Sequence, residues 1–269
     1  MGYPTGITQG KRIMSKPLIL IVNDDGYEAK GLYALVEAAK EFGEVVVVTP
    51  DGPRSGYAHG ITMNVPLRLK HYKTDADGVV YYRTNGTPVD CVKLGQKVIL
   101  KDRKIDLILS GINHGSNSSI SIIYSGTMAA AIEGSVENYK SIGFSLLDYS
   151  PHADFTAAIA IAKKIIGQTL QHELPEYISL NVNIPKVPLE EIKGIKITRQ
   201  THGYWHEVLE ERLDCYGRKY YWLDGWLVDN DPHEDTCEWA LKHNYVSLQP
   251  VQFDLTAHQY INTLKFLEE

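Results

Sequence analysis

The sequence predicts an α/β protein with a mostly parallel β-sheet that is covered by helices on both sides. Two observations predict it. Short, continuous apolar runs rich in β-branched residues recur from residue 17 to about residue 200, and segments of helical periodicity alternate with them. Such runs are typical of strands buried on both faces, as in a parallel sheet. The length of 269 residues allows one large domain of this class, or a domain with a sizeable appendage.

The elements follow in order along the chain. The run PLILIVN (17–23) predicts the first buried strand, and the apolar residues between 32 and 39 recur at helical spacing after it. The run EVVVVTP (44–50) predicts a second strand, parallel to the first because such crossovers are almost always right-handed. Further strands are predicted at 105–111, 141–147 and 177–183, with helices at 125–139 and 156–170 between them.

The part of the chain after residue 200 has a different character. It is rich in Tyr and Trp, and RKYYWLDG (218–225) is typical of a β-hairpin arm because aromatic residues favour pleated surfaces. Exposed aromatic side chains on an arm indicate that another subunit packs against it. We therefore divide the chain into a flexible N-terminal leader (1–16), a catalytic domain (17–200), and a C-terminal oligomerisation arm with a closing segment (201–269).

Composition narrows the partners. The net charge of −6 argues against nucleic-acid polymers and anionic membranes, since neither would gain counterion release from this surface. The longest apolar runs are strand-length, far short of a membrane span. The three cysteines form no CxxC pair, which indicates neither a disulfide framework nor a zinc site. We expect a protein of the reducing cytoplasm.

Polar residues follow three of the predicted strands, where ligands bind in open α/β sheets. The first loop holds the adjacent carboxylates Asp24 and Asp25, which would repel each other unless a cation lies between them. A hard divalent ion such as Mg²⁺ or Mn²⁺ prefers carboxylate oxygen. The alternative is that the pair caps the next helix, with Gly26 in the turn. The second loop, TPDGPRSGYAHG (49–60), holds Ser55 and His59 and could also be a plain surface loop.

The third loop is the most informative. Asn113 leaves a buried strand, Asn117 follows, and Ser125, Gly126 and Thr127 open a helix. Small hydroxyl residues and glycine at a helix start can bind an anion through free N–H groups and the helix dipole. The alternative is ordinary N-capping by Ser125 or Thr127. Neither GxxxxGK[ST] nor GxGxxG occurs, so the sequence gives no support for a P-loop that binds nucleoside triphosphates or for a dinucleotide-binding motif.

Together these segments resemble the SurE family of stationary-phase survival proteins, which act as 5′-nucleotidases. The resemblance rests on ILIVNDDGYEAKGLYALVEAA, VVVVTPDGPRSGYAHGIT, YRTNGTPVDCVKLG and IDLILSGINHGSN…IYSGTMAAAIEG, which occur in the family's order over residues 17–150. It implies a Rossmann-like three-layer α/β/α domain, one divalent metal ion per subunit, and hydrolysis of nucleoside 5′-monophosphates. It also implies a homodimer or homotetramer with exchanged C-terminal arms.

The resemblance also implies roles for individual residues. The family's metal ligands fall on Asp24, Asp25, Ser55 and Asn113, and its phosphate-contacting groups fall on Asn117, Ser125, Gly126 and Thr127. Two positions depart from the family's usual pattern: Gly56 follows Ser55 in place of alanine, and Ser116 stands where the family has proline. Both changes loosen a loop, and neither removes a ligand.

The predicted mechanism is attack of water on a metal-bound phosphate, with Asp24 or Asp25 as general base; a nucleophilic aspartate is the alternative. His59 and His114 are candidates for the leaving-group acid. Other functions stay open: a broad phosphatase or exopolyphosphatase acting on short polyphosphate, sugar phosphates or 3′-nucleotides, a non-catalytic nucleotide-binding regulator, or an oligomeric scaffold built on the aromatic C-terminal part.

Overall fold

A nine-stranded sheet forms the centre of the computed structural model, which describes residues 16–268. The strand order is β3-β4-β2-β1-β5-β6-β7-β11-β8. The expected leader falls on residues 1–15, outside the described part, apart from Lys16. The strands of this sheet are β1 (Leu18–Val22), β2 (Glu44–Pro50), β3 (Leu69–Thr74), β4 (Val80–Thr84), β5 (Leu107–His114), β6 (Ser141–Leu146), β7 (Ile178–Ile184), β8 (Gly194–Ile197) and β11 (Tyr245–Gln252).

Six neighbouring strands, from β4 through β2, β1, β5 and β6 to β7, are parallel, so the predicted fold class is confirmed. The first strand lies between β2 and β5, which means that the chain runs from β1 in one direction along the sheet and later returns to its other side. This is the topological switch point, where open α/β sheets bind their ligands.

Within residues 16–268, five α-helices accompany the sheet: α1 (Lys30–Ala39), α2 (Pro88–Leu94), α3 (Gly126–Val136), α4 (Thr156–Gln171) and α5 (Cys237–Lys242). Alternate residues of β1 point to opposite faces, as the period of a strand requires. Ile19 and Ile21 pack into the core that α1 and α4 cover, whereas Leu20 packs with Cys91 of α2 and Ala130 of α3. The predicted layers on both sides of the sheet are therefore present.

The strands β3 and β4 have no counterpart in the sequence prediction. The residues LKHYKT of β3 are mostly exposed, and this strand pairs antiparallel with β4 at the edge of the sheet. An edge strand needs no apolar face against a helix, so it lacks the apolar run that marks the central strands.

The C-terminal part contributes both a separate hairpin and a strand of the main sheet. The hairpin consists of β9 (Gly203–Leu213) and β10 (Lys219–Asp229), which pair antiparallel along their whole length. The chain then returns through α5 to β11, which lies between β7 and β8. The division at residue 200 stays a prediction, and residues 245–252 belong to the same sheet as the strands before it.

Within residues 16–268, no helix has the length and apolar character that crossing a membrane requires.

Candidate active site

The loops after β1, β2 and β5 enclose one side of a cavity of about 340 Å³ at the switch point. Five of the eight predicted site residues line it: Asp24, Ser55, Asn113, Asn117 and Ser125. The other three, Asp25, Gly126 and Thr127, contact residues of this lining, as described below. These five residues come from four separate segments of the sequence: the loops after β1 and β2, the end of β5 with the residues after it, and the start of the helix at 126.

Asp24 is the most perturbed carboxyl group of the site. Its side chain is only 4% exposed and accepts a hydrogen bond of 2.6 Å from the hydroxyl of Thr127. Burial first, and the neighbouring charge of Asp25 second, raise its pKa to about 6, against an opposing contribution from Thr127. A buried carboxylate beside a second one is costly to ionise, so this position favours a cation.

Asp25 lies next to Asp24 and is less deeply buried. Its carboxylate accepts a long hydrogen bond of 3.4 Å from the backbone N–H of His114, at the end of β5. Burial raises the pKa of Asp25 as well, and the contact with the His114 backbone opposes that rise. For both carboxyl groups, burial disfavours the ionised form, because it removes the negative charge from water.

The start of α3 is built against Asp24. A Cβ atom on Gly126 would lie 2.9 Å from the Cβ of Asp24, so only glycine permits this approach. Ser125 is the N-cap of α3, because its hydroxyl oxygen accepts from the N–H of Met128. Ser125 therefore caps the helix, which was the alternative considered from the sequence. The hydroxyl of Thr127 instead donates its hydrogen bond to Asp24. Phosphate binding by this helix start stays a prediction.

The residues after β5 are fixed by a buried network of amides. The Nδ2 group of Asn113 donates to the carbonyl of Gly115 at 2.9 Å. Asn117 donates its backbone N–H to Oδ1 of Asn183 at 2.8 Å and its Nδ2 to the hydroxyl of Ser145 at 2.8 Å. One of the two amide hydrogens of Asn117 is thus occupied, which leaves the other for a ligand. Its predicted phosphate contact stays a prediction.

Ser116, at the position where the resemblance led us to expect proline, takes part in the same network. Its hydroxyl lies 2.6 Å from that of Ser118 and donates to Asn183 at 3.3 Å. These bonds hold the turn that a proline ring would otherwise stiffen.

The lining residues that were not predicted from the sequence include Ser121, Tyr124, Tyr149 and Trp205. Trp205 comes from β9 of the hairpin, and its indole N–H donates to the hydroxyl of Ser121 at 3.2 Å. No local motif marks it, since it lies 84 residues from its partner along the chain. The cavity therefore has an oxygen-rich floor and an aromatic wall.

The two histidine candidates for the leaving-group acid differ in position. His114 lines the cavity, and its ring packs edge-to-face on Phe155 with centroids 5.0 Å apart. His59 is absent from the lining, and its Nε2 lies 2.9 Å from the carboxylate of Glu133 on α3. His59 therefore contacts a helix residue and not the cavity, whereas His114 reaches the cavity.

The donor set fits a hard divalent cation. The side chains of Asp24, Asp25, Ser55 and Asn113 offer carboxylate, hydroxyl and amide oxygen, the ligand types of Mg²⁺ and Mn²⁺. Among residues 16–268 there is no cluster of three or more His, Cys, Asp or Glu side chains that could hold a metal. Two carboxylates with raised pKa values, assisted by neutral oxygens, are the arrangement that a cation would relieve.

Fold and site together define a doubly wound α/β protein with an oxygen-rich ligand site at its switch point. The family model described as "Survival protein SurE" matches residues 19–207, and the chain belongs to this family. It is 52% identical over 261 residues to "5′-nucleotidase SurE" of Cytophaga hutchinsonii, covering 95% of this chain and 100% of that protein. A second relative of the same name, from Chlorobaculum tepidum, is 46% identical and matches 93% of this chain and 94% of its own length.

The solved structures include a close match. The crystal structure of SurE protein from Aquifex aeolicus superposes with a TM-score of 0.81 at 41% sequence identity. The match covers 94% of this chain and 100% of the other. The predicted family and its three-layer fold are therefore confirmed.

Proposed function

We propose that this protein is a metal-dependent 5′-nucleotidase, which hydrolyses nucleoside 5′-monophosphates to nucleoside and phosphate. The names of its relatives support this activity. The observation that carries it is the cavity in which Asp24, Ser55 and Asn113 meet beside the N-terminus of α3. Cation ligands and an anion-binding helix start in one cavity are what a phosphate monoester requires.

Asp24, Asp25, Ser55 and Asn113 would hold one divalent ion per subunit, Mg²⁺ or Mn²⁺. When bound, this ion supplies Lewis-acid polarisation of the phosphate and a lower pKa for a coordinated water. The buried position of Asp24 keeps most of its side chain away from bulk water, which strengthens its electrostatic contacts.

The remaining steps belong to side chains and backbone of the chain itself. Asp24 or Asp25 accepts the proton of the attacking water. The first turn of α3, with Ser125, Gly126 and Thr127, stabilises charge on the phosphate oxygens through its amides and dipole. Asn117 orients the phosphate, and the aromatic wall of Tyr124, Tyr149 and Trp205 suits a planar base.

One experiment tests this function against its alternatives. Phosphate release is measured from 5′- and 3′-mononucleotides, ribose 5-phosphate and short polyphosphate, each with Mg²⁺, Mn²⁺ or EDTA. We expect the 5′-mononucleotides to be the best substrates and EDTA to abolish turnover. Preference for polyphosphate or 3′-nucleotides would identify the broader phosphatase instead. Tight nucleotide binding without any phosphate release would identify a regulator.

We further propose that the protein works in the cytoplasm as a homodimer or homotetramer that exchanges its C-terminal arms. The three cysteines are free thiols, two of them buried, which suits a reducing compartment. The hairpin supports the assembly, since it exposes Leu209, Trp222, Leu223 and Trp226 by more than half of their surface. Apolar side chains of this size are typical of subunit interfaces.

A further inference from the structure

The Ser55 loop, which we define as residues 51–62, carries its metal-site residue at an exposed apex. Ser55, Gly56 and Tyr57 are exposed, and a Cβ on Gly56 would meet no atom within 4 Å. At the apex the N–H of Tyr57 donates to the carbonyl of Arg54 in a local turn, and the N–H of Ala58 donates a long hydrogen bond of 3.3 Å to the carbonyl of Tyr124. The position of Ser55 therefore depends on where the two ends of the loop are held.

The incoming end of the loop is tied to the floor of the site. The backbone N–H of Arg54 donates to the carbonyl of Asp24 at 2.7 Å. Since Ser55 follows Arg54 directly, this bond fixes the distance of Ser55 from the aspartates on one side. It leaves the direction of the apex to the outgoing end.

The outgoing end is held to helices α2 and α3. The hydroxyl of Thr87, the N-cap of α2, donates to the carbonyl of Gly60 at 2.7 Å. Closer to the apex, Nε2 of His59 lies 2.9 Å from Oε2 of Glu133 on α3. Ala58, between them and Ser55, has a φ of +49°, a conformation that non-glycine residues adopt only when their surroundings impose it.

Glu133 is a fixed partner for His59. Its side chain is 7% exposed, and its other carboxylate oxygen is paired with the ammonium group of Lys93. Hydrogen bonding from His59 first, and from Lys93 in addition, holds the pKa of Glu133 below its usual value in spite of burial. Lys93 of α2 already neutralises the charge of Glu133. The bond to His59 has a different effect, because it connects Glu133 to the Ser55 loop.

We propose that His59 and Glu133 form a clasp that positions Ser55 and thereby sets the affinity of the metal site. This inference rests on the proposed function, because it takes Ser55 as a metal donor. The same helix carries Glu133 and the Thr127 hydroxyl that binds Asp24, so α3 aligns donors from two loops with each other. A neutral hydroxyl is a weak ligand, and its contribution depends on being held in place before the cation arrives. Both residues are positioning residues and contact neither metal nor substrate.

The test compares His59→Ala with the conservative variant His59→Gln. Glutamine places an amide nitrogen near the position of Nε2 and can donate to the same carboxylate. Mn²⁺ affinity is measured without substrate by electron paramagnetic resonance of the free ion, and separately as the Mn²⁺ concentration for half-maximal phosphate release. We expect His59→Ala to weaken both by about tenfold, with kcat at saturating Mn²⁺ close to that of the wild type, and His59→Gln to restore most of the affinity.

Lys93→Met is the matched control, because it removes the other partner of Glu133 without touching the loop. It should leave the Mn²⁺ affinity unchanged, and circular dichroism should show that all three variants are folded. Wild-type affinity in His59→Ala, no rescue in His59→Gln, or an equal loss in Lys93→Met would each overturn the clasp. A wild-type protein without metal-dependent phosphate release would overturn the proposed function, and the clasp with it.

Discussion

At the residue scale, the site concentrates features that work against folding. Asp24 is almost completely buried, its pKa is raised, and its neighbour Asp25 carries a like charge. A carboxyl group whose pKa is higher in the folded state than in the unfolded state makes the folded protein less stable as the pH rises from the lower pKa to the higher one. Without metal, the electrostatic penalty on the folded protein is therefore largest at neutral pH, where the proposed cation would bind.

Asp24→Asn tests this balance. The amide keeps an acceptor for Thr127 and removes the charge, so we expect turnover to be abolished. In EDTA at pH 7 the melting temperature should rise by about 5 °C, since a shift of ~2 pKa units corresponds to at most ~3 kcal/mol.

The raised pKa of Asp24 also determines how the effect of this substitution on the melting temperature depends on pH. The difference in melting temperature between variant and wild type should be small at pH 4, grow up to about pH 6 and then level off. The surface variant Asp102→Asn is the control, because its side chain is 84% exposed. A variant that melts below the wild type at pH 7 in EDTA would contradict the argument.

Gly126→Ala tests the close approach of α3 to the carboxylate. Alanine normally stabilises a helix relative to glycine by about 1 kcal/mol. Here its methyl group would lie 2.9 Å from the Cβ of Asp24 and 3.2 Å from Pro88, so the helix start must shift. We expect at least a tenfold lower kcat/KM for a 5′-mononucleotide, an effect of about 1.4 kcal/mol. Gly52→Ala, in open space, should be neutral in the same assay.

Local sequence patterns predicted many of the candidate site residues, but they did not predict the long-range contacts that hold these residues in place. The carboxylate pair, Asn113 and the helix start at Ser125 were predictable because each directly follows a recognisable strand or loop. The bond from Thr127 to Asp24 spans 103 positions, and the contact of His59 with Glu133 spans 74. Such contacts depend on how helices pack over the sheet, which no local pattern encodes.

At the element scale, β7 acts as the support of the loop after β5. Asn181 and Asn183 project from it into the same buried layer, and Nδ2 of Asn183 donates to Oδ1 of Asn181. Asn181 in turn donates to the carbonyl of Asn117 at 2.8 Å. The strand was predictable from its length and its β-branched residues. The role of its two asparagines was not, because an amide in a strand acquires a partner only through the fold.

Asn183→Ala removes the acceptor for the backbone N–H of Asn117 and leaves Oδ1 of Asn181 without its donor. Buried polar groups without partners are costly, so we expect the free energy of unfolding in urea to fall by about 3 kcal/mol. Phosphate release should fall as well, because Asn117 loses its support. The exposed residue Asn262 offers the matched control, Asn262→Ala, which should change neither quantity. Full activity in Asn183→Ala would separate this network from the site.

At the scale of the whole molecule, the hairpin and the segment after β11 are parts that the fold of one chain leaves exposed. Leu209 and Leu223 are directly paired across β9 and β10, and each is 66% exposed. A hairpin with an exposed apolar pair is marginal alone in water, and a second chain that covers it would stabilise it. The sequence indicated the arm through its aromatic residues, and it did not indicate that Trp205 of the same arm lines the candidate site.

The double variant Leu209→Glu/Leu223→Glu should therefore dissociate the proposed assembly. Two carboxylates directly opposite each other repel across the strands and remove the apolar contact with a partner. Light scattering coupled to size exclusion should show a monomer where the wild type is a dimer or tetramer. Val98→Glu, at a site 55% exposed and outside residues 201–269, should leave the mass unchanged. An unchanged assembly in the double variant would remove the hairpin from the interface.

The place of β11 in the sheet has a consequence for the order in which the chain can fold during synthesis. In the described sheet β8 lies at the edge and pairs with β11 alone, while β7 has β11 on its open side. As the chain leaves the ribosome, β8 emerges long before its partner, and β7 keeps an exposed edge until residue 252 is free. The last strand to be translated thus closes the sheet, so an interrupted chain would display an unpaired edge to chaperones and proteases.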